Sequence, residues 1–187
     1  MTGLYVVLAL VGVLAIALLV SYNLFVEQRN LVRESWSNID TELRRRYDLI
    51  PNLVRTVEAY AAHEKLLLEQ VTQARAQALA STGSPEAQAG DERVLVTALR
   101  SLFAVSEGYP DLKASDNFLE LQRELVDTED RIQASRRFYN ANVRDLNRRV
   151  QSVPSNIVAS LFGFHEAEYF EVEPAIRTAG APTVQGL

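Results

Sequence analysis

An uninterrupted apolar run from Leu4 to Val20 constrains this chain more than any other feature of its sequence. No charged side chain occurs before Glu27, so the apolar stretch extends to Val26. At a helical rise of about 1.5 Å per residue, the strict run spans roughly 25 Å and the extended one roughly 34 Å. Because the hydrocarbon core of a bilayer is about 30 Å thick, the sequence predicts one transmembrane helix within residues 1–26, with membrane lipid as the partner of Leu4 to Val26.

Removal of this segment as a secretory signal is the alternative, since Ala15-Ile16-Ala17 resembles a cleavage site. A signal peptide carries Lys or Arg ahead of its apolar stretch, and none precedes this one. The candidate site also lies inside the apolar run. We therefore expect the helix to be retained as an anchor.

The positively charged side chains all follow the apolar run. Arg29 and Arg33 lie close to it, and Arg44-Arg45-Arg46 come later. The positive-inside rule therefore predicts a short external N-terminus and a cytoplasmic C-terminal part. Two nearby arginines make a small bias, so a periplasmic or extracellular C-terminal part is the alternative. The absence of cysteine fits either compartment.

The composition after the anchor is typical of a helical protein. The 187 residues contain only eight Gly and six Pro, and the prolines mark positions where helices are expected to begin or end. The net charge of −5 argues against a nucleic-acid partner, because phosphate recognition needs a dominant basic surface.

Apolar residues at alternating spacings of three and four predict long amphipathic helices. This set of positions, the seam, has Arg29, Arg46 and Glu64 as its charged members; the others are Phe25, Val32, Trp36, Ile39, Leu43, Ile50, Leu53, Val57, Tyr60, Leu67, Val71, Ala74 and Ala78. Pro51 lacks an N–H and disfavours helical backbone before it, so we expect a break there, with Asp48 as the N-cap of a second helix. Because the seam keeps its register through Pro51, one long kinked helix is the alternative.

Two more helices are predicted further along the chain. Ser84 as N-cap and Pro85 in the first turn begin a third helix, which ends before Gly108-Tyr109-Pro110-Asp111. A fourth, long helix ends at Val153-Pro154; its seam is Phe118, Leu121, Leu125, Thr128, Ile132, Ser135, Tyr139, Val143, Leu146 and Val150. Short turns favour antiparallel packing, so we predict an all-α fold, with a transmembrane helix followed over 27–173 by an up-and-down bundle of about four long helices. Residues 174–187 are predicted to be a flexible tail.

Several motifs resemble the signature of the bacterial LemA family. They are Ser35-Trp36-Ser37-Asn38-Ile39-Asp40, Arg45-Arg46-Tyr47-Asp48-Leu49-Ile50-Pro51-Asn52-Leu53-Val54, Tyr60-Ala61-Ala62-His63-Glu64, Phe138-Tyr139-Asn140 with Asn147, Phe162-Gly163-Phe164 and Tyr169-Phe170-Glu171. The resemblance extends from the anchor to about Glu173. It implies an N-terminal helix in the inner membrane, a small external N-terminus and a helical-bundle body, with no established biochemical activity. Val153 stands where the family pattern usually has Phe, and this departure does not alter the assignment.

The residue inventory argues against catalysis. Without cysteine, and with His63 and His165 as the only histidines, thiol chemistry and cysteine-based zinc sites are excluded. A di-iron bundle needs two Glu-x-x-His pairs, yet Tyr60 and Phe162 stand three residues before the histidines. His63 and Glu64 are helical neighbours that would point about 100° apart. We therefore expect no enzyme activity, cofactor, metal site or small-molecule substrate.

Seven polar or special residues are expected to have structural or interaction roles: Asp48, Pro51, Asn52, Glu64, Tyr139, Asn140 and Asn147. Glu64 is expected to pair with Arg46 or Arg136 of another helix. Tyr139-Asn140 with Asn147 repeats the Tyr-Asn-x6-Asn spacing of residues 22–30, which places each pair of asparagines on one helical stripe. We favour bridges between helices of one bundle, and a self-assembly surface is the alternative.

The C-terminal aromatic residues are interleaved with acids. Phe162, Phe164, Tyr169 and Phe170 alternate with Glu166, Glu168 and Glu171. We expect the aromatic rings to pack across the end of the bundle, because the acids would be repelled by an anionic leaflet. Insertion of the rings into the bilayer or a partner groove is the alternative.

Two classes of function fit this sequence. The first is a membrane-anchored interaction or scaffold protein of the cell envelope, with itself or other envelope proteins as partners. The second is a membrane-shaping or envelope-stress protein that polymerises on the bilayer. Self-association distinguishes them, since the scaffold requires small oligomers at most and the second class requires large open or ring-like assemblies.

Overall fold

The computed structural model describes residues 1–172, and this part of the chain is helical with no β-strand. The helices are α1 (Thr2–Tyr60), α2 (Lys65–Ala80), α3 (Pro85–Ser106), α4 (Pro110–Lys113), α5 (Asp116–Gln151) and α6 (Ser155–Phe162). The predicted all-α fold of long helices and short turns is confirmed. The predicted domain boundary at residue 26 stays a prediction, and the predicted tail from residue 174 lies outside the described residues.

The first helix is much longer than predicted. It continues through Pro51 to Tyr60, so the predicted break with Asp48 as an N-cap is wrong. A proline inside a helix leaves the carbonyl four residues earlier without its donor. Here that carbonyl belongs to Tyr47, and Arg75 Nε of α2 donates to it at 2.6 Å. With the lost hydrogen bond replaced, the helix ends only at the turn formed by residues 61–64.

The N-terminal part of α1 is long and apolar enough to cross a membrane. Its large apolar side chains are exposed, as Leu8, Val11 and Leu14 illustrate. The same helix continues without a break into the packed part of the protein.

The chain forms two compact units, and α1 and α5 each contribute a segment to both. The anchor unit comprises Met1–Ile39 and Ser135–Tyr169, and thus includes α6. The bundle unit comprises Asp40–Ala134 and, among the described residues, 170–172.

The seam forms the core of the bundle unit. Its fully buried apolar members on α1 are Leu43, Ile50, Leu53 and Val57, and they are joined by Val71, Ala74 and Ala78 of α2. At one position of α2 the burial differs from the prediction, because Leu68 is buried and the predicted seam member Leu67 is only half-buried. Tyr60, a predicted seam member at the end of α1, is 45 % exposed.

The predicted start of α3 and end of α5 agree with the structure, whereas the turn of residues 61–64 and the short helix α4 were not predicted. Ser84 is the N-cap of α3, and its hydroxyl accepts a hydrogen bond from the backbone of Ala87 at 3.4 Å. Pro85 occupies the first turn, as predicted. The long helix α5 ends at Gln151, just before Val153-Pro154. The short helix α6, which ends at the left-handed Gly163, was not predicted.

Candidate functional site

A cluster of charged side chains lies buried inside the bundle unit. Arg46 of α1 is 2 % exposed and pairs with Glu92 of α3 and Glu129 of α5. Its Nη1 donates to Glu129 Oε2 at 2.9 Å, and its Nη2 donates to Glu92. Tyr47, the next residue of α1, donates its hydroxyl to the second oxygen of Glu92. The cluster thus links three helices in their core.

The cluster contains two carboxyl groups for one guanidinium. Burial raises the pKa of Glu92 above its ordinary value, and the charge of Glu129 adds to the rise, while Arg46 and Tyr47 oppose it. Burial and the Glu92 carboxylate likewise raise the pKa of Tyr47, which keeps its hydroxyl protonated and able to donate. Because all four side chains are buried, they offer no surface to a substrate, and the arrangement is suited to holding helices together.

A second polar arrangement, in the anchor unit, uses predicted site residues. Asn147 is buried, and its side-chain amide forms two hydrogen bonds with the backbone of Ala167. Its Oδ1 accepts from the N–H at 2.8 Å, and its Nδ2 donates to the carbonyl at 3.0 Å. Tyr139 donates its hydroxyl to the carbonyl of Glu168 at 2.8 Å. Burial, with the Glu168 carboxylate, raises the pKa of Tyr139 to about 12. These contacts support the interpretation of Asn147 as a bridge within one chain.

Aromatic rings connect α1 to the segment after α6 in the same unit. The ring of Phe164 stacks on Phe25 with centroids 4.8 Å apart, and the guanidinium carbon of Arg29 lies over the Phe164 ring, 5.3 Å from its centroid. Tyr22 contacts Phe162 at 4.9 Å and Phe164 at 5.7 Å. Phe164 and Phe170 are buried, in agreement with the predicted packing, whereas Phe162 is 50 % and Tyr169 42 % exposed.

The remaining predicted residues do not converge on one site. Asp48 and Asn52 are exposed on α1, and Asn52 Oδ1 accepts a hydrogen bond from Arg55 one turn along the helix. Asn140 is half-buried on α5. The expected pairing of Glu64 with Arg46 or Arg136 is wrong, because Glu64 accepts the hydroxyl of Tyr109 at 2.9 Å and Arg46 is engaged by the buried carboxylates.

Three residues in or beside the buried cluster are not identified by the sequence analysis. Glu92 and Glu129 stand at seam spacing with Leu95 and Ile132, and that position is the signal that could have identified them as buried partners of Arg46. Arg75 has no comparable signal in the sequence, because its role depends on the Tyr47 carbonyl, which Pro51 leaves without a helical donor.

Two open grooves lie on the surface of the bundle unit. The larger, about 580 Å³, lies between α2 and α3 and is lined mainly by polar side chains, among them Gln70, Gln73, Gln77, Arg93, Thr97 and Ser101. The smaller, about 400 Å³, includes Asn52 and Arg55 of α1 with Asn117 and Glu124 of α5. Within residues 1–172, no group of three or more His, Asp or Glu side chains is placed to hold a metal ion.

Comparison with known proteins agrees with the motif resemblance. The model of the LemA family matches residues 35–185. Magnetosome protein MamQ 2 of Paramagnetospirillum magneticum is 29 % identical over 194 residues, covering 90 % of this chain and 71 % of that protein. Magnetosome protein MamQ of Magnetospirillum gryphiswaldense is 28 % identical with the same coverage. Protein LemA of Metamycoplasma hominis is 24 % identical over 150 residues, covering 80 % of this chain and 68 % of that protein.

Proposed function

This chain belongs to the LemA family, and from that membership and the geometry of α1 we propose that it is a membrane-anchored scaffold of the bacterial cell envelope. The protein is helical and membrane-associated. In the proposed role, the apolar part of α1 spans the inner membrane and the bundle unit binds envelope proteins or further copies of the chain. The short N-terminus is outside and the remainder is cytoplasmic, as the arginines after the anchor favour.

The continuity of α1 is the observation that carries this proposal. The apolar stretch passes directly into the helix that packs against α5, where Gln28 bonds the backbone of Asn142 at 3.1 Å and Trp36 contacts Tyr139 with ring centroids 5.3 Å apart. A flexible linker would let a tethered domain move freely over the membrane. A continuous helix instead fixes the packed residues at a set distance from the bilayer, which suits a protein that positions partners.

The groove between α2 and α3 is the surface at which we expect a partner. Its glutamines, Thr97 and Ser101 present amide and hydroxyl groups, and Ala74, Val94 and Ala98 provide small apolar contacts between them. Such mixed surfaces are typical of non-obligate protein interfaces.

Site-specific photo-cross-linking in intact cells tests the scaffold. A photoreactive amino acid at Thr97 in the groove should give a discrete adduct of defined mass, and the same amino acid at Glu58, exposed on α1, is the matched control. The adduct should disappear when a flexible Gly-Ser segment is inserted after Val26, because α1 then no longer continues rigidly from its apolar part into its packed part. Equal adducts from both positions, or none from Thr97, would contradict the proposal.

Polymerisation on the bilayer is the second candidate function. It predicts open or ring-like assemblies. Mass measurement of the full-length chain in nanodiscs and on vesicles distinguishes the two functions, since small discrete oligomers support the scaffold and large assemblies that deform vesicles support polymerisation.

A further inference from the structure

The short helix α6 leaves an apolar surface uncovered. Val158 and Ala159 are buried in the anchor unit, but Ile157 and Leu161, one helical turn apart, are 62 % and 69 % exposed. Val153, before the helix, is 80 % exposed. Together with Phe162, these three residues form what we call the α6 surface. From Val150 to Phe164 the chain has no charged side chain, the longest such stretch after Glu27.

The depth of this surface follows from the register of α5 against α1. Trp36 packs on Tyr139, and Gln28 bonds Asn142, so the two helices are antiparallel in the anchor unit. Twelve residues beyond Tyr139, α5 ends at Gln151, and twelve residues before Trp36 lies Leu24, at the end of the apolar run. The chain therefore turns into α6 where the membrane-spanning part of α1 ends.

Aromatic contacts independently place α6 at the same depth relative to the membrane. Tyr5 and Tyr22 stand at the two ends of the apolar run, about 25 Å apart along the helix, where tyrosines mark the two membrane interfaces. The ring of Phe162 lies 4.9 Å from that of Tyr22. Phe162 and the end of α6 are thus at the level of the lipid headgroups.

The charges of the anchor unit complement an anionic membrane surface. The unit carries seven arginines and five acids, whereas the described part of the bundle unit carries eleven basic and eighteen acidic residues. Arg148 and Arg149 occupy the last turn of α5, immediately before α6. Basic side chains beside an exposed apolar helix are the combination that binds anionic bilayers.

Glu168, one of the acids near the C-terminus, lies away from the α6 surface. After Gly163 the chain runs back along α5, so the carbonyl of Glu168 meets Tyr139, whose ring packs on Trp36. Trp36 is fourteen residues, about 21 Å of helix, beyond Tyr22. The backbone at Glu168 therefore lies well away from the headgroup level.

From these observations we infer that α6 is a second membrane contact, with its surface of Val153, Ile157, Leu161 and Phe162 inserted at the headgroup boundary of an anionic leaflet. The inference rests on the proposed anchoring by α1. The anchor unit then contacts the bilayer through the apolar part of α1 and through α6, and these two contacts restrict the rotation and tilt of α1.

Single-cysteine labelling tests this, because the chain has no cysteine of its own. Full-length Leu161→Cys and Ile157→Cys variants carrying an environment-sensitive fluorophore are reconstituted into vesicles of equal parts phosphatidylcholine and phosphatidylglycerol. We expect a blue shift, quenching by lipids with a nitroxide near the headgroup, and loss of quenching by aqueous iodide. Thr97→Cys, in the groove of the bundle unit, is the matched control and should show the opposite pattern.

A Leu14→Cys variant separates the two proposals. If Leu14 is not quenched by lipid nitroxides, the anchor is not inserted and the proposed function fails. If Leu14 is quenched while Ile157 and Leu161 remain open to iodide, the α6 inference alone is overturned. Coupling between fluorophores on different chains at Leu161, without lipid quenching, would likewise overturn it by identifying a second copy as the occupant.

Discussion

Arg75 of α2 donates its Nε–H to the backbone carbonyl of Tyr47, the carbonyl that Pro51 leaves without its helical donor. The contact lets α1 pass through a proline and continue for nine further residues. It also ties α2 to α1 beside the buried charge cluster, because Tyr47 itself donates to Glu92.

The first prediction is that Arg75 and Pro51 are energetically coupled. Arg75→Ala should lower the free energy of unfolding by about 1.5 to 3 kcal/mol, because a partly buried carbonyl loses a charged donor. In a Pro51→Ala background, residue 51 supplies the missing N–H, so the same change should cost roughly 1 kcal/mol less. Urea denaturation of the full chain in detergent, followed by helical circular dichroism, measures the four variants. Additive effects would show that the proline is not compensated by Arg75.

The continuity of α1 illustrates what sequence patterns do not contain. The caps at Ser84 and the stop at Pro154 were predicted because their chemistry is local: a hydroxyl accepts a nearby N–H, and a proline cannot continue a helix. Pro51 obeys the same local rule, but a donor from residue 75 overrides it. Tertiary contacts of this kind cannot be read from spacing.

In the candidate site, too, local features can be predicted from the sequence and tertiary contacts cannot. Arg46 was recognised as a charged member of the seam, and its burial follows from that position. The seam predicts Glu64 as its partner, whereas the structure pairs Arg46 with Glu92 and Glu129. The choice between acids depends on which helices face each other, and periodicity does not determine this. The stripe pattern predicts that Asn147 bridges helices, whereas its amide contacts the backbone of Ala167 in an irregular segment.

The second prediction concerns the charge balance between Arg46 and the two acids of the buried cluster. Arg46→Met should destabilise the bundle by about 3 to 5 kcal/mol, because two buried carboxyl groups lose their counter-ion. Replacing all three, as Arg46→Met with Glu92→Leu and Glu129→Leu, should recover most of that loss. Denaturant unfolding measures both variants, and Arg44→Met, at an exposed position two residues away, is the control. A loss below about 1 kcal/mol for Arg46→Met would place the guanidinium in contact with solvent.

The third prediction is a pH dependence that originates at Glu92. Its pKa is raised above 4.5 in the folded chain, chiefly by burial, so the folded state binds this proton more tightly than the unfolded state does. The resulting stabilisation is complete below pH 4.5 and is lost as the pH rises through the raised pKa. The wild type should therefore lose stability with rising pH relative to Glu92→Gln, which stays neutral. Glu124→Gln, exposed on α5, should parallel the wild type. Parallel curves for Glu92→Gln and the wild type would refute the assignment.

The fourth prediction distinguishes an internal bridge from an assembly surface at Asn147. Asn147→Leu should lower stability by roughly 1 to 3 kcal/mol, because both backbone groups of Ala167 lose their partners. The oligomer distribution in nanodiscs should be unchanged. Asn30→Leu, the corresponding exposed asparagine of the other Tyr-Asn-x6-Asn motif, should change stability by less than about 0.5 kcal/mol. Unfolding and sedimentation on the same samples give both readouts, and retained stability with an altered mass distribution would favour the assembly surface.

The fifth prediction is the orientation of the chain in the membrane. His63→Cys places a thiol in the exposed turn between α1 and α2, and Thr2→Cys places one before the apolar run. Because arginines follow the apolar run and none precedes it, the bundle should be retained in the cytoplasm. A membrane-impermeant maleimide should therefore label Thr2→Cys in intact spheroplasts and His63→Cys only after lysis. Labelling of His63→Cys before lysis, with Thr2→Cys protected, would reverse the orientation and place the bundle, its grooves and the partners they bind in the periplasm.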